Sequence, residues 1–452
     1  MPSAKPDSLK KRALRAGSWT IVGFGLGQAL RLGSTLVMTR LLVPEMFGVM
    51  AIATIVTVLI NLLSDIGLRQ SIVQSRNGDA PVFLDTAWVL QIIRGFGCWA
   101  LALLLCLALY LSSHAGLLPA KSVYALPILP LVIGVTSFSA VILGFESTRV
   151  ATAYRNFDQK RIIQIELIGQ LAALAVMIGI GILTHSIWAL VVGGLVSPLT
   201  TTILSHTWMK GHQNRFRWDT DSAYELIHFG KWVLASSALF VFASIGDRML
   251  LGFFVEPAVL GMYAIASQII SAIQAGPSKL FSTVTLPALS EIARSDHRRL
   301  REVYYRNRVP VDLVMLFLMG FVFATANLVI DLLYDARYAG AGDMLRILAL
   351  SLFAIRYGVA GQIYLAIGMP RYVTITSAVR VAALYALVPA LYHFGGAQAA
   401  LWGIALHAAA MVPFIYYFNA KLDLNDWCRE SIVLLAAPLG YVLGAGVEHF
   451  WR

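Results

Sequence analysis

Two stretches of the chain, residues 47–56 (FGVMAIATIV) and residues 260–269 (LGMYAIASQI), share a pattern of small and apolar residues. Four identities recur at a constant offset of 213 residues: Gly48 and Gly261, Ala51 and Ala264, Ile52 and Ile265, Ala53 and Ala266. Each stretch begins an apolar segment, and the second segment comes six segments after the first. Because six is even, both halves have the same orientation, which predicts a parallel repeat related by an axis along the membrane normal. Chance similarity between apolar segments is the alternative.

The composition indicates a membrane protein. The chain has 452 residues, of which 58% are hydrophobic and 13% charged, and its mean hydropathy is +0.73. Soluble domains average about 45–50% apolar and about 25% charged residues. The apolar character extends along the whole length, which excludes a soluble enzyme with a single anchor. The three cysteines, Cys98, Cys106 and Cys428, are predicted to be free thiols.

Thirteen segments are apolar and long enough to cross a bilayer as helices, which takes about 20 residues each. Their approximate limits are 16–39, 45–68, 84–111, 122–144, 161–184, 186–208, 229–254, 258–290, 309–334, 344–367, 371–393, 397–419 and 431–450. The sequence therefore predicts an all-α polytopic membrane protein of two six-helix bundles and one extra C-terminal helix. The predicted parts are a basic leader (1–15), an N-terminal bundle (16–208), a linker (209–228), a C-terminal bundle (229–419) and the extra helix (420–452).

Basic residues in the loops predict the orientation. With the N-terminus in the cytoplasm, 23 Lys and Arg residues lie inside. The outer face then holds four, which are Arg40, Lys121, Arg337 and Arg452. This excess inside follows the rule for cytoplasmic loops. It also accounts for most of the net charge of +11 without any nucleic-acid partner.

Six cations lie deep in the predicted spans, where a charge costs roughly 2.5–3.5 kcal/mol. They are Arg31, Arg94, Arg248, Lys279, Arg356 and Arg380. Only Asp247 is a clearly deep acid, and Glu166 lies near the inner end of the fifth span. If these cations face inward, they form a cationic cavity that suits an anion such as a diphosphate, which arginine grips through paired hydrogen bonds.

Other roles are open for several of these residues. Arg248 and Asp247 are sequence neighbours and could form a structural ion pair, whereas Asp247 could instead carry a coupling ion. Lys279 could reach the inner interface from a helix kinked at Gly276 and Pro277. Glu166 could be a cap or an interfacial carboxylate as well as a proton site. No His or Cys spacing typical of a metal site occurs in the sequence.

Several motifs resemble the polysaccharide-biosynthesis family of Wzx-type oligosaccharide flippases. They are MTRLLVPEMFG (38–48), DIGL (65–68), IWAL (187–190), FG (229–230), DRMLLG (247–252), LGMYAIA (260–266), LLY (332–334) with Tyr338, and LRIL (345–348). The resemblance covers residues from about 8 to 420. Members of that family usually have twelve or fourteen helices, so the predicted thirteen depart from the family pattern.

The resemblance implies a multi-pass protein of the bacterial inner membrane that is not an enzyme and has no cofactor. Its cargo would be an undecaprenyl-diphosphate-linked oligosaccharide, flipped from the cytoplasmic to the periplasmic leaflet by alternating access, with H⁺ or Na⁺ as a coupling ion. Its other partners would be inner-membrane lipids and the glycosyltransferases and polymerase of an exopolysaccharide, capsule or O-antigen pathway. The alternatives are a multidrug/cation antiporter of the same superfamily, a membrane glycosyltransferase, ligase or polymerase, and a scaffold.

Overall fold

The computed structural model describes residues 9–64, 67–156, 158–280 and 300–451. Within these ranges it describes the side chains of all residues except 9–16, 63, 229–241, 243–244 and 277–280. The backbone is predominantly α-helical, and no strand occurs in the four ranges. The chain divides into two compact units, Met1–Val241 and Phe242–Arg452. The all-α prediction is confirmed, whereas the relation of the two predicted bundles by an axis stays a prediction.

In its described part, the first unit contains nine helices and the beginning of a tenth. They are α1 (Leu9–Leu41), α2 (Pro44–Leu63), α3 (Leu68–Gln74), α4 (Pro81–His114), α5 (Leu129–Thr136), α6 (Ser139–Gly144), α7 (Arg149–Arg155), α8 (Gln159–Thr184), α9 (Trp188–Thr207) and α10 (Thr220–Phe254). Pro44 and Pro81 stand in first turns, where a missing backbone N–H costs no helical hydrogen bond. Helix α8 packs between α1 and α9, and α4 packs against α5 and α6.

The second unit continues from α10 through nine further helices in the residues that the structure describes. They are α11 (Pro257–Leu280), α12 (Leu300–Leu333), α13 (Gly340–Ala349), α14 (Leu352–Ile355), α15 (Gly358–Ala366), α16 (Pro370–Leu406), α17 (Val412–Lys421), α18 (Trp427–Val433) and α19 (Ala436–Trp451). Helix α12 packs against α13 and α19, and α13 also packs against α11.

Each of the thirteen predicted spans overlaps at least one helix. By length and composition, ten helical stretches of the described chain could cross a membrane, or eleven if the bent pair Leu129–Gly144 and Arg149–Arg155 is one span. Three differences separate thirteen from ten. Pro370–Lys421 contains both the eleventh and the twelfth predicted spans, and the fourth falls in the bent pair. The seventh falls on α10, many of whose side chains lie outside the described ones. The eleventh and twelfth predicted spans meet at Gly396, whose φ of 65° and ψ of −155° suit glycine.

The first half of the predicted linker is attached to the first unit by polar contacts. Oδ1 of Asp85, a buried residue of α4, lies 2.7 Å from Nε2 of His212. Arg149 donates hydrogen bonds of 2.9 Å to the backbone carbonyls of Met209 and His212 in this segment, and one of 2.6 Å to that of His206 at the end of α9. The second half of the linker is helical from Thr220 onward. The domain boundaries drawn from the sequence stay predictions.

Glycines allow the C-terminal helix α19 to pack closely on α12. A β-carbon at Gly440 would lie 2.1 Å from the carbonyl oxygen of Phe317, and one at Gly320 would lie 2.0 Å from that of Ala437. Gly444 follows Gly440 by four residues and faces the same helix. Small residues at this spacing are typical of close helix packing in membranes. The extra C-terminal helix is thus an integral part of the second unit.

Candidate functional site

A polar cavity of about 310 Å³ opens in the first unit among α2, α3, α4, α6 and α7. Its polar lining consists of Asn61, Arg69, Gln70, Gln91, Arg94, Glu146, Ser147 and Thr148. A polar cavity of this size within apolar helices is a natural candidate for a binding site.

Arg94 projects from α4 onto the wall of this cavity and is half-buried. Its Nε atom donates to Oγ of Ser64 at 3.3 Å, and Nη2 donates to the carbonyl oxygen of Asn61 at 2.9 Å. Both acceptors stand at the end of α2, where the last carbonyls have no partner within the helix. The end of α2 therefore orients one of the six predicted deep cations at the cavity.

The fourth predicted span (122–144) is not a continuous helix, because α5 ends at Thr136 and α6 begins at Ser139. Just beyond this span, a bend of 66° separates the stretch Leu129–Gly144 from α7. Side chains of neighbouring helices satisfy the backbone carbonyls that the bend exposes. Nε2 of Gln91 donates to the carbonyl of Leu143 at 2.7 Å. Nε1 of Trp88 and Nε2 of His206 donate to the carbonyl of Phe145, at 3.3 and 2.8 Å. The bend is therefore stabilised within the protein, as irregular backbone at membrane depth requires.

The bend places Glu146 at the cavity beside Arg69. Oε2 of Glu146 lies 3.7 Å from Nη2 of Arg69, whose guanidinium also lies 4.9 Å from the ring centre of Tyr154. Arg69 and Glu146 line a second cavity as well, of about 390 Å³, whose wall includes Glu166 on α8. The two cavities thus carry two arginines and two glutamates. The structure shows mixed charge in this unit, where the sequence predicted a net positive lining.

Asp247 and Arg248 of α10 contact different residues of α11. The hydroxyl of Tyr263 donates a short hydrogen bond to the carboxylate of Asp247. Nη2 of Arg248 donates to Oγ of Ser267 at 2.9 Å. No salt bridge joins the two neighbours in the described structure, so the ion pair considered as an alternative for Arg248 is not formed.

Arg380 of α16 lies in the same unit and contacts His407. Its Nε atom donates to Nε2 of His407, with 3.2 Å between the two nitrogens. Since Nε2 accepts this hydrogen bond, Nδ1 carries the imidazole proton and donates to the carbonyl of Ile404 at 2.5 Å. Asp247 is close enough to Arg380 to interact with it electrostatically. Deep charges of both signs therefore occur together in the second unit.

Arg356 belongs to a buried cluster of four charges and does not lie at an open cavity. Its Nη2 atom lies 2.7 Å from Oε2 of Glu430 and 3.4 Å from Oδ2 of Asp312. Arg308 contacts the same two carboxylates, with Nε 3.1 Å from Oδ2 of Asp312 and Nη2 2.8 Å from Oε2 of Glu430. All four side chains are at most 5% exposed. Two positive and two negative charges cancel here, which contradicts the predicted place of Arg356 in a cationic cavity.

Two of the predicted site residues, Arg31 and Lys279, are not assigned a role by the structure. Arg31 is exposed on α1, and its side chain forms no hydrogen bond or ion pair within the described ranges. The side chain of Lys279 lies outside the described side chains, and so do Asp65 and Ile66 of the DIGL motif. The described residues include no group of His, Cys, Asp or Glu that could hold a metal ion. The cavity roles of Arg31 and Lys279 stay predictions.

Three important residues escape prediction from the sequence. Arg69 counts among the inner-loop cations because it follows the second span, and Glu146 and Glu430 fall at the ends of predicted spans. A usable signal for Glu146 is the stretch GFEST (144–148), where polar residues follow an apolar segment. No local signal reveals the contacts of Glu430, because its partners are 74 and 122 residues away along the chain.

Comparisons with known proteins agree with these features. A family model described as polysaccharide biosynthesis protein matches residues 37–343, which is more than half of the chain. The lipopolysaccharide biosynthesis protein WzxC of Escherichia coli (strain K12) is 21% identical over 443 residues. The alignment covers 95% of this chain and 85% of that protein.

Solved structures of transporters share the fold. The lipid II flippase MurJ in an inward closed conformation has a TM-score of 0.65 at 13% identity, covering 96% of this chain and 99% of that one. An inward-facing multidrug resistance MATE family transporter of the MOP superfamily also has a TM-score of 0.65, at 15% identity, covering 88% and 94%. A MOP superfamily transporter from Pyrococcus furiosus has a TM-score of 0.56 at 15% identity, covering 92% and 96%. The chain is therefore a multi-pass membrane protein with the fold of these transporters.

Proposed function

Because the chain belongs to the polysaccharide biosynthesis protein family of Wzx-type flippases, we propose that it flips undecaprenyl-diphosphate-linked oligosaccharide units. The cargo moves from the cytoplasmic to the periplasmic leaflet of the bacterial inner membrane, with the N-terminus of the protein in the cytoplasm. The product serves exopolysaccharide, capsule or O-antigen synthesis, alongside glycosyltransferases and a polymerase. The protein is a transporter and not an enzyme.

The observation that carries this proposal is the pair of arginines at the polar cavity of the first unit. Arg94 and Arg69 both line the cavity and can donate paired hydrogen bonds to phosphate oxygens. The contact of Arg69 with Glu146 is 3.7 Å long, and the side chains of Arg69 and Glu146 are 52% and 19% exposed. A long ion pair whose arginine is open to water contributes little stability, so a diphosphate can replace Glu146 as the partner of Arg69.

Alternating access then moves the bound cargo, while its polyprenyl tail stays in lipid. Each negative charge that moves outward across an inside-negative potential gains about 2.3 kcal/mol per 100 mV. A diphosphate therefore gains part of its driving force from the potential. H⁺ or Na⁺ exchanged in the other direction supplies the rest, with Asp247 or Glu166 as its site. Arg380 and Arg248 provide further positive charge in the second unit.

A multidrug/cation antiporter is the second candidate function. Glu146 and Glu166 line the same cavity, and a multidrug resistance transporter shares the fold. Carboxylates at a cavity suit an organic cation as well as a coupling ion. The two candidates differ in the charge of the cargo, and hence in which side chains transport requires.

Proteoliposomes that contain the purified chain separate the two candidates. With a fluorescent lipid-linked oligosaccharide, we expect Arg94→Gln to lower the flipping rate at least about tenfold, the effect of losing one charge-assisted hydrogen bond. Arg371→Gln, which removes an exposed arginine at the beginning of α16, is the matched control and should flip at the wild-type rate. Unchanged flipping by Arg94→Gln, or transport of an organic cation that Glu146→Gln abolishes, would contradict the proposal.

A further inference from the structure

A groove of about 470 Å³ lies between α12 and α18 in the second unit. Its lining consists of Glu302, Tyr305, Arg306, Val309, Pro310, Arg429, Ile432 and Val433. The residues from α12 are spaced three and four apart, so they share one face of that helix. Toward the N-terminus of each helix the lining is charged, and toward the C-terminus it is apolar. The groove therefore has a charged end and an apolar end.

The charged end is positive overall. Arg306 is exposed and has no ion pair with any described residue. Arg429 and Arg301 share one carboxylate, that of Asp426, at 3.3 and 3.9 Å. Glu302 is the other acid at this end. This end therefore has three arginines and only two acids. Arg306 is the arginine that is available to an anionic ligand.

Tyr305, at the base of the groove, is held in place by hydrogen bonds to α18 and to the residue before it. Tyr305 donates a hydrogen bond of 3.1 Å to Oε1 of Glu430, the carboxylate of the buried charge cluster, and accepts one of 2.9 Å from the backbone N–H of Asp426. The guanidinium of Arg429 lies 5.7 Å from the ring centre of Tyr305. The site is thus organised before any ligand binds, which lowers the entropy lost on binding.

We propose that this groove binds one anionic phospholipid of the surrounding membrane. Its phosphate lies between Arg306 and Arg429, and an acyl chain follows Val309, Ile432 and Val433. The order from charge to apolar surface along α12 is the order from headgroup to acyl chain in a leaflet. Ile432 is 58% exposed, so its side chain is accessible to an acyl chain. Basic pockets between membrane helices on the cytoplasmic side are known to bind anionic headgroups.

Thermal unfolding of the purified full-length chain in detergent tests this assignment. Dioleoyl phosphatidylglycerol should raise the unfolding midpoint at lower mole fraction than dioleoyl phosphatidylcholine does. In Arg306→Gln, the mole fraction of phosphatidylglycerol needed for half the effect should rise about tenfold. Arg371→Gln removes the same charge from another exposed site and should behave as the wild type. Circular dichroism of both variants checks that they are folded.

Two outcomes would overturn the proposal. One is equal stabilisation by phosphatidylcholine and phosphatidylglycerol, which would show that the headgroup is not recognised. The other is stabilisation by undecaprenyl diphosphate with no effect of phosphatidylglycerol, which would assign the groove to the cargo. The flipping rate is measured separately, so failure here leaves the proposed transport function standing.

Discussion

At the scale of single residues, Glu430 has the largest expected effect on stability. Its carboxylate contacts both Arg308 and Arg356 in a place where water has almost no access. Without it, Asp312 alone faces two buried guanidinium groups. Removing one partner of a buried ion pair costs about 3–5 kcal/mol.

We therefore expect Glu430→Gln to lower the free energy of unfolding by at least about 3 kcal/mol. Unfolding in detergent with a denaturant, followed by tryptophan fluorescence, measures the change. The matched control is Glu302→Gln, which removes an exposed carboxylate on α12 and should change the stability by less than about 0.5 kcal/mol. Equal effects of the two variants would show that the buried cluster does not stabilise the unit.

Gln91 is the residue on which the shape of the first cavity depends. Its Nε2 atom lies within 2.7–3.3 Å of three carbonyl oxygens in the bend, those of Leu143, Gly144 and Glu146. We expect Gln91→Leu to cost about 1 kcal/mol, because carbonyls that are only partly open to water lose their donor. Gln70→Leu changes an exposed residue of the same cavity and should cost less. Thermal unfolding compares them, and a Gln91 variant as stable as the Gln70 variant would be inconsistent with this role.

Residue positions in the sequence predict depth but not partners. The depth of Arg94 and Arg356 follows from counting residues along their spans, and both are well inside. Their surroundings differ because Arg94 donates a hydrogen bond to the end of α2, whereas Arg356 contacts Glu430, which lies 74 residues further along the chain. Partners so distant in sequence depend on the packing of helices, which no local pattern specifies. The net charge of a cavity is therefore the least predictable property of this site.

At the scale of helices, α19 depends on glycine for its place. The β-carbon of an alanine at position 440 would lie 2.1 Å from the carbonyl oxygen of Phe317, and backbone cannot move aside as a side chain can. We expect Gly440→Ala to lower the free energy of unfolding by about 1–3 kcal/mol through overpacking. Gly446 of the same helix has nothing within 4 Å of such a carbon.

Gly446→Ala is thus the matched control, and alanine there should stabilise α19 by up to about 1 kcal/mol, since it favours helix more than glycine does. Limited proteolysis at the beginning of α18, together with thermal unfolding, detects release of the C-terminal helices. If the two alanine variants unfold alike, close contact with α12 is not what holds α19.

The positions of helices are largely predictable from the sequence, because apolar runs of about 20 residues leave few other structures in a bilayer. Breaks within them are harder to predict. The fourth predicted span is divided between α5 and α6, which its apolar composition does not reveal, and the tenth predicted span consists of α13, α14 and α15. Side chains of neighbouring helices stabilise such breaks, and those neighbours are known only once the fold is formed.

At the scale of the whole molecule, the predicted orientation can be tested through cysteines. Cys428 is exposed, whereas Cys98 and Cys106 are buried. We expect a membrane-impermeant maleimide to label Cys428 in inverted membrane vesicles and not in intact spheroplasts, because the excess of basic loops predicts a cytoplasmic position for it.

A cysteine on the opposite face provides the control. Leu117 is 75% exposed and follows α4, on the predicted outer face. In a Cys428→Ser background, Leu117→Cys should be labelled in spheroplasts. The reverse pattern at either position would contradict the predicted orientation.

The bend before α7 has a consequence for the transport cycle. Its exposed carbonyls are bound by Trp88, Gln91 and His206, which belong to the protein itself. Straightening this segment into one helix would require Trp88, Gln91 and His206 all to release it. We therefore expect the bend to keep its shape while the helices around it move during the proposed transport.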